Sequence, residues 1–238
     1  MCDSCDYVGP TVAAAVGAAW ATHGIAGALL PPFVKAMEHR WADQLRERGL
    51  RARPRLGYVD PYPGLLRDSG EHTPADRLPV RFTAFDRAGA SYEPPQFADN
   101  NLPRVLLTLG SSIGDPDLSA AIAQSLADAA LNVLITDTAP ADRGASPRIR
   151  HLGFVPLARL LPDVGLAVSA GGTGTMLSAL AAGLPLVIAP QLADQPLNAA
   201  RATRLGVART IADATEAGAA AQQVLTTPGY RQAARQVM

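Results

Sequence analysis

Val164-Gly-Leu-Ala-Val-Ser-Ala-Gly-Gly-Thr-Gly-Thr175, followed by Leu184-Pro-Leu-Val-Ile-Ala-Pro190 and then Asp194-Gln195, orders the whole sequence around it. Two continuous apolar runs flank a glycine-rich turn and a short helical segment, which predicts strand, turn, helix, strand. Apolar residues without alternation mark strands covered on both faces, as in a parallel sheet. Gly171, Gly172 and Gly174 lack a β-carbon, so backbone N–H groups there can approach an anion closely and adopt φ > 0. Thr173 and Thr175 add hydroxyls. The helix expected at residues 175–182 aims its positive end at the same spot, and Gly183 suits its C-terminal stop. The turn is neither a dinucleotide fingerprint, since Leu177 stands at the third glycine position, nor a P-loop, since no Lys follows. Phosphate binding is one reading; close strand-to-helix packing is the other, and the turn alone leaves both open.

The segments before it repeat the pattern. Arg104-Val-Leu-Leu-Thr-Leu109 reads as a buried strand ending at Gly110-Ser111-Ser112, residues 118–130 as a helix, and residues 132–136 as the next strand. Residues 149–155, a turn-helix from Leu157, and strands at 165–169 and 184–189 continue it. Repeated strand-helix units predict an α/β fold with a doubly wound, Rossmann-like parallel sheet, whose ligands sit at the carboxyl ends of the strands.

Residues 1–85 read differently. They suggest a strand-like start, a small-residue helix at 10–17, a short strand at 20–23 and an amphipathic helix at 32–48. That helix gathers Phe33, Met37, Trp41 and Leu45 on one face. A short strand at 56–59 precedes a stretch rich in Pro, Asp and Arg. Residues 86–102 have linker composition, dividing the chain into a partial first domain, 1–85, and a larger second domain, 103–238.

Composition narrows the function classes. The 238 residues are 48% hydrophobic and carry 21 basic and 21 acidic side chains, so no basic face for nucleic acid is indicated. The Ala-rich run at 12–19 is too short to span a bilayer, and a basic signal-peptide start is lacking; a cytoplasmic protein without stable membrane insertion is the expectation. Cys2 and Cys5 form a lone C-x-x-C without a second ligand pair, which favours two plain thiols over redox or metal chemistry.

Val105 to Ser112, His151-Leu-Gly-Phe-Val-Pro-Leu-Ala-Arg-Leu-Leu-Pro162, Gly171-Gly-Thr-Gly-Thr175, Ala181-Ala-Gly-Leu-Pro185 and Pro190-Gln-Leu-Ala-Asp-Gln195 with Asn198 resemble, as an ordered set, the donor-binding domain of GT-B glycosyltransferases. More narrowly, the chain resembles the family-1 enzymes that attach deoxysugars to macrolides and other antibiotic aglycones. The resemblance implies an inverting, metal-independent transfer from a dTDP- or UDP-sugar co-substrate to a hydroxyl of a small-molecule acceptor, with no further cofactor; a homodimer is compatible with it. It places Gly110, Ser111, Ser112, Ser169, Gly171, Gly172, Thr173, Gly174 and Thr175 beside the donor diphosphate. Phe154 and the backbone at Val155 would face the nucleobase, where aromatic stacking is worth roughly 1 to 3 kcal/mol; a core aromatic is the other reading of Phe154. Asp194 and Gln195 would bind sugar hydroxyls, and Asp194 also suits a helix N-cap. Asp6-Tyr-Val-Gly-Pro10 and Trp20-Ala-Thr-His-Gly24 resemble the later part of the acceptor domain, which makes Asp6 and His23 catalytic candidates beside their plainer readings as a cap and a turn residue.

The sequence departs from the family in two ways. The histidine usual before the paired glycines is replaced by Ser169-Ala170, a loss of about 1.5 to 3 kcal/mol of hydrogen bonding to the diphosphate for which Ser169 offers a partial substitute. The first part of the family's acceptor domain, with its proton-accepting histidine, and the closing helix have no counterpart in these residues. The chain thus has the look of a fragment, a truncated frame or a degenerate copy, and the general base goes unassigned. Two alternatives remain: a non-catalytic paralogue or partner that at most binds the nucleotide sugar, and a lipid-linked sugar transferase docking through Phe33, Met37 and Trp41 with Lys35, His39 and Arg40 beside them.

Overall fold

The computed structural model describes residues 1–27, 31–71, 73–88, 92–110, 115–136 and 146–237, and the chain divides into two compact units, Met1–Arg81 and Phe82–Met238.

In the first unit, β1 (Cys2–Asp3), α1 (Val8–Val16), β2 (Thr22–His23), α2 (Pro31–Glu47), β3 (Tyr58–Asp60) and β4 (Arg77–Pro79) form a parallel sheet in the order β1-β2-β3-β4. Gly17 ends α1 at φ 71°, the left-handed conformation favoured by glycine. The amphipathic face of α2 is used inside the unit. Leu45 is buried, and the Trp41 ring lies 5.7 Å from Tyr7 and 6.2 Å from Trp20, with its Nε1 donating to the Thr11 hydroxyl. Phe33 lies outside the described side chains. The face proposed for lipid docking is therefore occupied, at Trp41 and Leu45, by packing within the unit.

The second unit contains β5 (Arg104–Thr108), α3 (Pro116–Asp128), β6 (Asn132–Ile135), β7 (Ile149–His151), α4 (Leu157–Leu160), β8 (Leu166–Ser169), α5 (Thr173–Ala181), β9 (Leu186–Ile188), α6 (Gln195–Arg204), β10 (Ala208–Thr210), α7 (Ala217–Thr226) and α8 (Pro228–Gln236). Among the described residues its six strands are all parallel, in the order β10-β9-β8-β5-β6-β7. The continuous apolar runs have the predicted cause. Val105, Leu107, Val133, Ile135, Leu166 and Val168 pack with Ile122 and Leu126 of α3 and Ala221 and Val224 of α7, while the alternate residues Leu106, Leu134 and Ala167 are equally buried. From β5 the chain winds outward through β6 and β7, returns to lay β8 against the other side of β5, and continues outward to β10. The crevice between the carboxyl ends of β5 and β8 is the topological switch point, where ligands of doubly wound sheets bind.

Residues 92–102, which have linker composition, are strapped to this unit. Phe97 is buried beneath the guanidinium groups of Arg104 and Arg150, and the Asn132 side chain donates to the Asp99 carbonyl at 2.8 Å.

Candidate functional site

Of the sequence-predicted residues, those that follow β5 and β8 meet at the switch point. Thr108 at the end of β5 and Ser169 at the end of β8 are directly paired, so the chain leaves both strands side by side. Gly110 follows with φ 99°, exposed and with open space around it; Ser111 and Ser112 lie outside the described residues.

After β8 the turn is tighter than expected. Gly171 has φ 86°, and a β-carbon there would stand 2.7 Å from Ile188 Cγ2 and 3.4 Å from the Gln195 carbonyl, so both backbone angle and space require glycine. The helix begins at Thr173, two residues before the position expected from sequence, because Gly172 takes the N-cap position at φ −60°, ψ 140°. Thr173, Gly174 and Thr175 thus belong to the first turn of α5. No side chain caps it, and its first helical hydrogen bond runs from the Met176 amide to the Gly172 carbonyl. The amides of residues 173–175 therefore have no acceptor inside the helix and face the crevice with the positive end of the dipole. No β-carbon at Gly172 or Gly174 would meet anything within 4 Å, so a ligand has room to approach.

Two polar residues act otherwise than expected. Ser169 is buried, and its hydroxyl accepts the Gly171 amide at 3.2 Å, so it braces the turn instead of standing in for the missing histidine. Asp194 occupies the N-cap position of α6 but caps no amide. Its Oδ2 accepts from the Thr173 hydroxyl at 2.7 Å and from Asn198 Nδ2 at 2.9 Å, tying the loop after β9 to the start of α5. The backbone explains the turn away from the helix: Asp194 is already helical at φ −84°, ψ −7°, not extended as a capping residue would be. Gln195 Oε1 accepts the amides of Gln191 and Leu192, closing the same loop, in which Ala193 adopts a left-handed φ of 56°. Asn198, which the sequence singles out only as part of the motif, is the hub of this network.

Phe154 is 76% exposed, so the core reading falls; its ring is available at the surface beyond β7, with Val155 half-buried behind it. A cavity of about 520 Å³ lies further along the sheet edge between Leu118, Pro190, Gln191, Thr210 and Asp213. It touches the loop after β9 but none of the glycine turn.

In the first unit, Asp6 Oδ1 accepts the amides of Val8 and Gly9 at 2.8 and 3.2 Å, a capping role at the start of α1, and His23 is exposed at the end of β2. Burial first, and Asp6 second, raise the Cys2 thiol above its ordinary pKa; burial and then Asp3 raise Cys5, the opposite of what a reactive thiolate needs. The expectation of metal-independent transfer also rests on the absence of a D-x-D run, which is wrong: Asp115-Pro-Asp117 is such a run, and there Asp115 caps α3, accepting the amides of Asp117 and Leu118. Among the described residues, no group of three or more His, Cys, Asp or Glu side chains is placed to hold a metal, and no helix is long and apolar enough to cross a membrane.

A doubly wound parallel sheet with a glycine turn and an uncapped helix N-terminus at its switch point is the arrangement in which α/β domains of this class hold anionic ligands. The chain belongs to the family of the erythromycin biosynthesis protein CIII-like C-terminal domain, whose model matches residues 120–238. It is 43% identical over 93 residues to the elloramycin glycosyltransferase ElmGT of Streptomyces olivaceus, an alignment covering 38% of this chain and 23% of that protein. It is 28% identical over 222 residues to the L-demethylnoviosyl transferase of Streptomyces niveus, covering 89% of this chain and 57% of that protein. The spinosyn rhamnosyltransferase SpnG, solved with thymidine diphosphate, superposes with a TM-score of 0.82 over 99% of this chain and 66% of its own, at 20% identity, which establishes the GT-B fold. The chain thus spans well under two thirds of the curated relatives it matches first.

Proposed function

We propose that this chain is the nucleotide-sugar-binding part of a glycosyltransferase, transferring a sugar from dTDP- or UDP-sugar to a hydroxyl of a small-molecule natural-product acceptor with inversion at the anomeric carbon. The observation that carries this reading is the glycine turn. It sets three unspent helix-terminal amides at the switch point, where a diphosphate would gain negative charge as the glycosidic bond breaks, so the same donors serve binding and departure of the leaving group. The exposed Phe154 ring offers a stacking face for the base, and the loop held by Asp194 and Gln195 is the candidate support for the sugar hydroxyls. Family membership, and the thymidine diphosphate in the SpnG complex, agree with a nucleotide donor.

In the reaction so read, the acceptor oxygen attacks the anomeric carbon, the bond to the diphosphate breaks, and the acceptor proton passes to a base. Within the described residues Asp6 is committed to α1, which leaves His23 the freer of the two candidates.

Titration calorimetry with dTDP and UDP tests the donor site. Binding in the millimolar range, about −4 kcal/mol, is expected for the wild-type chain. Gly171→Ala, which places a β-carbon against Ile188 at an unfavourable φ, should weaken it at least about tenfold, the equivalent of 1.4 kcal/mol. No heat from the folded wild type at millimolar nucleotide would overturn the reading.

A further inference from the structure

We infer that Asn198 is a positioning residue that fixes which way the Gly171–Gly172 peptide faces, and so decides whether the turn presents an N–H or a carbonyl oxygen to the anion. This rests on the donor-site reading above.

A peptide between two glycines is the one most easily turned over, because neither residue has a β-carbon to resist the change in ψ and φ. Something must hold it. Asn198 is 1% exposed, and its Nδ2 donates to the Gly171 carbonyl at 2.9 Å. In a trans peptide the C=O and the following N–H point in opposite directions. Drawing the Gly171 oxygen inward to Asn198 therefore turns the Gly172 N–H away from α6 and toward the crevice. The reverse orientation would aim a carbonyl dipole at a diphosphate and bury an N–H against another N–H donor.

The remaining contacts fix Asn198 itself. Its Nδ2 also lies 2.9 Å from Asp194 Oδ2 and 3.1 Å from Thr173 Oγ1, and the Thr173 hydroxyl donates its own proton to the same Asp194 oxygen at 2.7 Å. Asp194 thereby orients the amide so that its NH₂ side faces the turn. On this arrangement Asp194 acts on the donor through Asn198 and Thr173, both of which its Oδ2 holds. The loop after β9 and the turn after β8 are in this way one unit.

The test is an amide-resolved NMR titration of ¹⁵N-labelled chain with dTDP and, separately, with thymidine. In the wild type the Gly172 amide should shift with dTDP and stay still with thymidine. Asn198→Ala should lower dTDP affinity about tenfold, remove the Gly172 shift and leave the thymidine response unchanged. Asn198→Asp, near in shape but lacking the donor, should do the same or more. A merely structural role would instead move both ligands' responses together, and that result would overturn the inference. So would a Gly172 amide that ignores dTDP in a wild type that binds it, a measurement independent of whether either variant folds. A wild type unresponsive to dTDP at every amide would sink the donor-site reading and this inference with it.

Discussion

The two units of this chain are both parallel α/β structures, yet they are held together by different forces. In the second, the strands β5, β6, β8 and β9 are buried almost throughout, and α3 and α7 close a continuous apolar core over one face. In the first, the buried apolar residues are few, Ala13, Leu45, Tyr62 and Leu66 among those described, while Val8, Val12 and Val16 form an exposed stripe along α1 at 73%, 54% and 70%. What the first unit has instead is charge. The fully buried Asp60 carboxylate is held by Arg67 and by Arg77 at 2.5 Å, Arg67 reaches on to Glu71 at 2.9 Å, and Arg55 grips Asp76 through two hydrogen bonds. Apolar burial adds stability in proportion to area, whereas a buried ion pair adds little net but costs much when one partner is removed. The first unit should therefore be the less stable and the more fragile. Both tryptophans of the chain, Trp20 and Trp41, lie in it, so tryptophan emission reports that unit alone while far-UV ellipticity is dominated by the second.

The largest effect expected from breaking this contrast is at Asp60. Asp60→Asn leaves Arg67 and Arg77 without their common anion and should cost about 3 kcal/mol, the low end for a broken buried pair because Arg77 keeps some contact with water. In urea, the tryptophan-detected midpoint should fall, by about 1 M or more for a unit of this size, with the ellipticity transition in place. If the two transitions of the variant moved together, the units would be one cooperative block and the contrast drawn above would be void.

How much of this was legible in the sequence follows the same division. In the second unit the strands β5, β6, β8 and β9 are covered on both faces, so their code is a run of apolar residues, and they and the glycine turn can be read directly. In the first, β4 is only Arg77-Leu-Pro, with Leu78 half exposed, and nothing in three such residues marks a strand; its place is set by register with β3. At the site, composition and spacing expose the glycines, but not what Asp194 does. The capping preference of Asp is a local property, whereas its partner Thr173 stands 21 residues away and is brought near only by the adjacent return of β8 and β9. The motif names Asn198 but not its role, for the same reason, since that role depends on the direction of one peptide plane. For Phe154 the sequence leaves a core aromatic and a base-facing ring open, and its exposure removes only the first.

A smaller effect is expected from the matching perturbation of the second unit. A β-carbon on Gly218 of α7 would lie 2.4 Å from the Ser125 carbonyl of α3 and 2.8 Å from the Ala129 β-carbon. The obstacle is helix backbone, which cannot step aside as a flexible side chain can. Overpacking of this kind costs about 1 to 3 kcal/mol, against which alanine's better helix propensity returns under about 1. Gly218→Ala should thus lower the ellipticity-detected stability by about 1 to 2 kcal/mol and leave tryptophan emission where it was, the mirror image of Asp60→Asn. A neutral or stabilising result would mean that α3 and α7 are free to separate and that the second core is less rigid than its burial implies.

The smallest effect is in acid. The hydrogen bonds from Arg55 hold the Asp76 carboxyl below its ordinary pKa. A carboxylate whose folded pKa is depressed contributes stability that is complete above its unfolded value, near 4, and is lost as pH falls through the folded value. Both side chains are about one third exposed, so screening keeps this contribution under about 1 kcal/mol. Between pH 5 and pH 2 the tryptophan-detected midpoint of the wild type should accordingly decline more steeply than that of Arg55→Gln, in which Asp76 has no cation to lose. The ellipticity transition supplies the control, because Asp213 in the second unit is also held below its ordinary pKa, by the Thr215 hydroxyl and amide, and Arg55→Gln leaves that group untouched. Parallel acid slopes for wild type and variant by tryptophan emission would show that the Arg55–Asp76 pair carries none of the first unit's acid sensitivity.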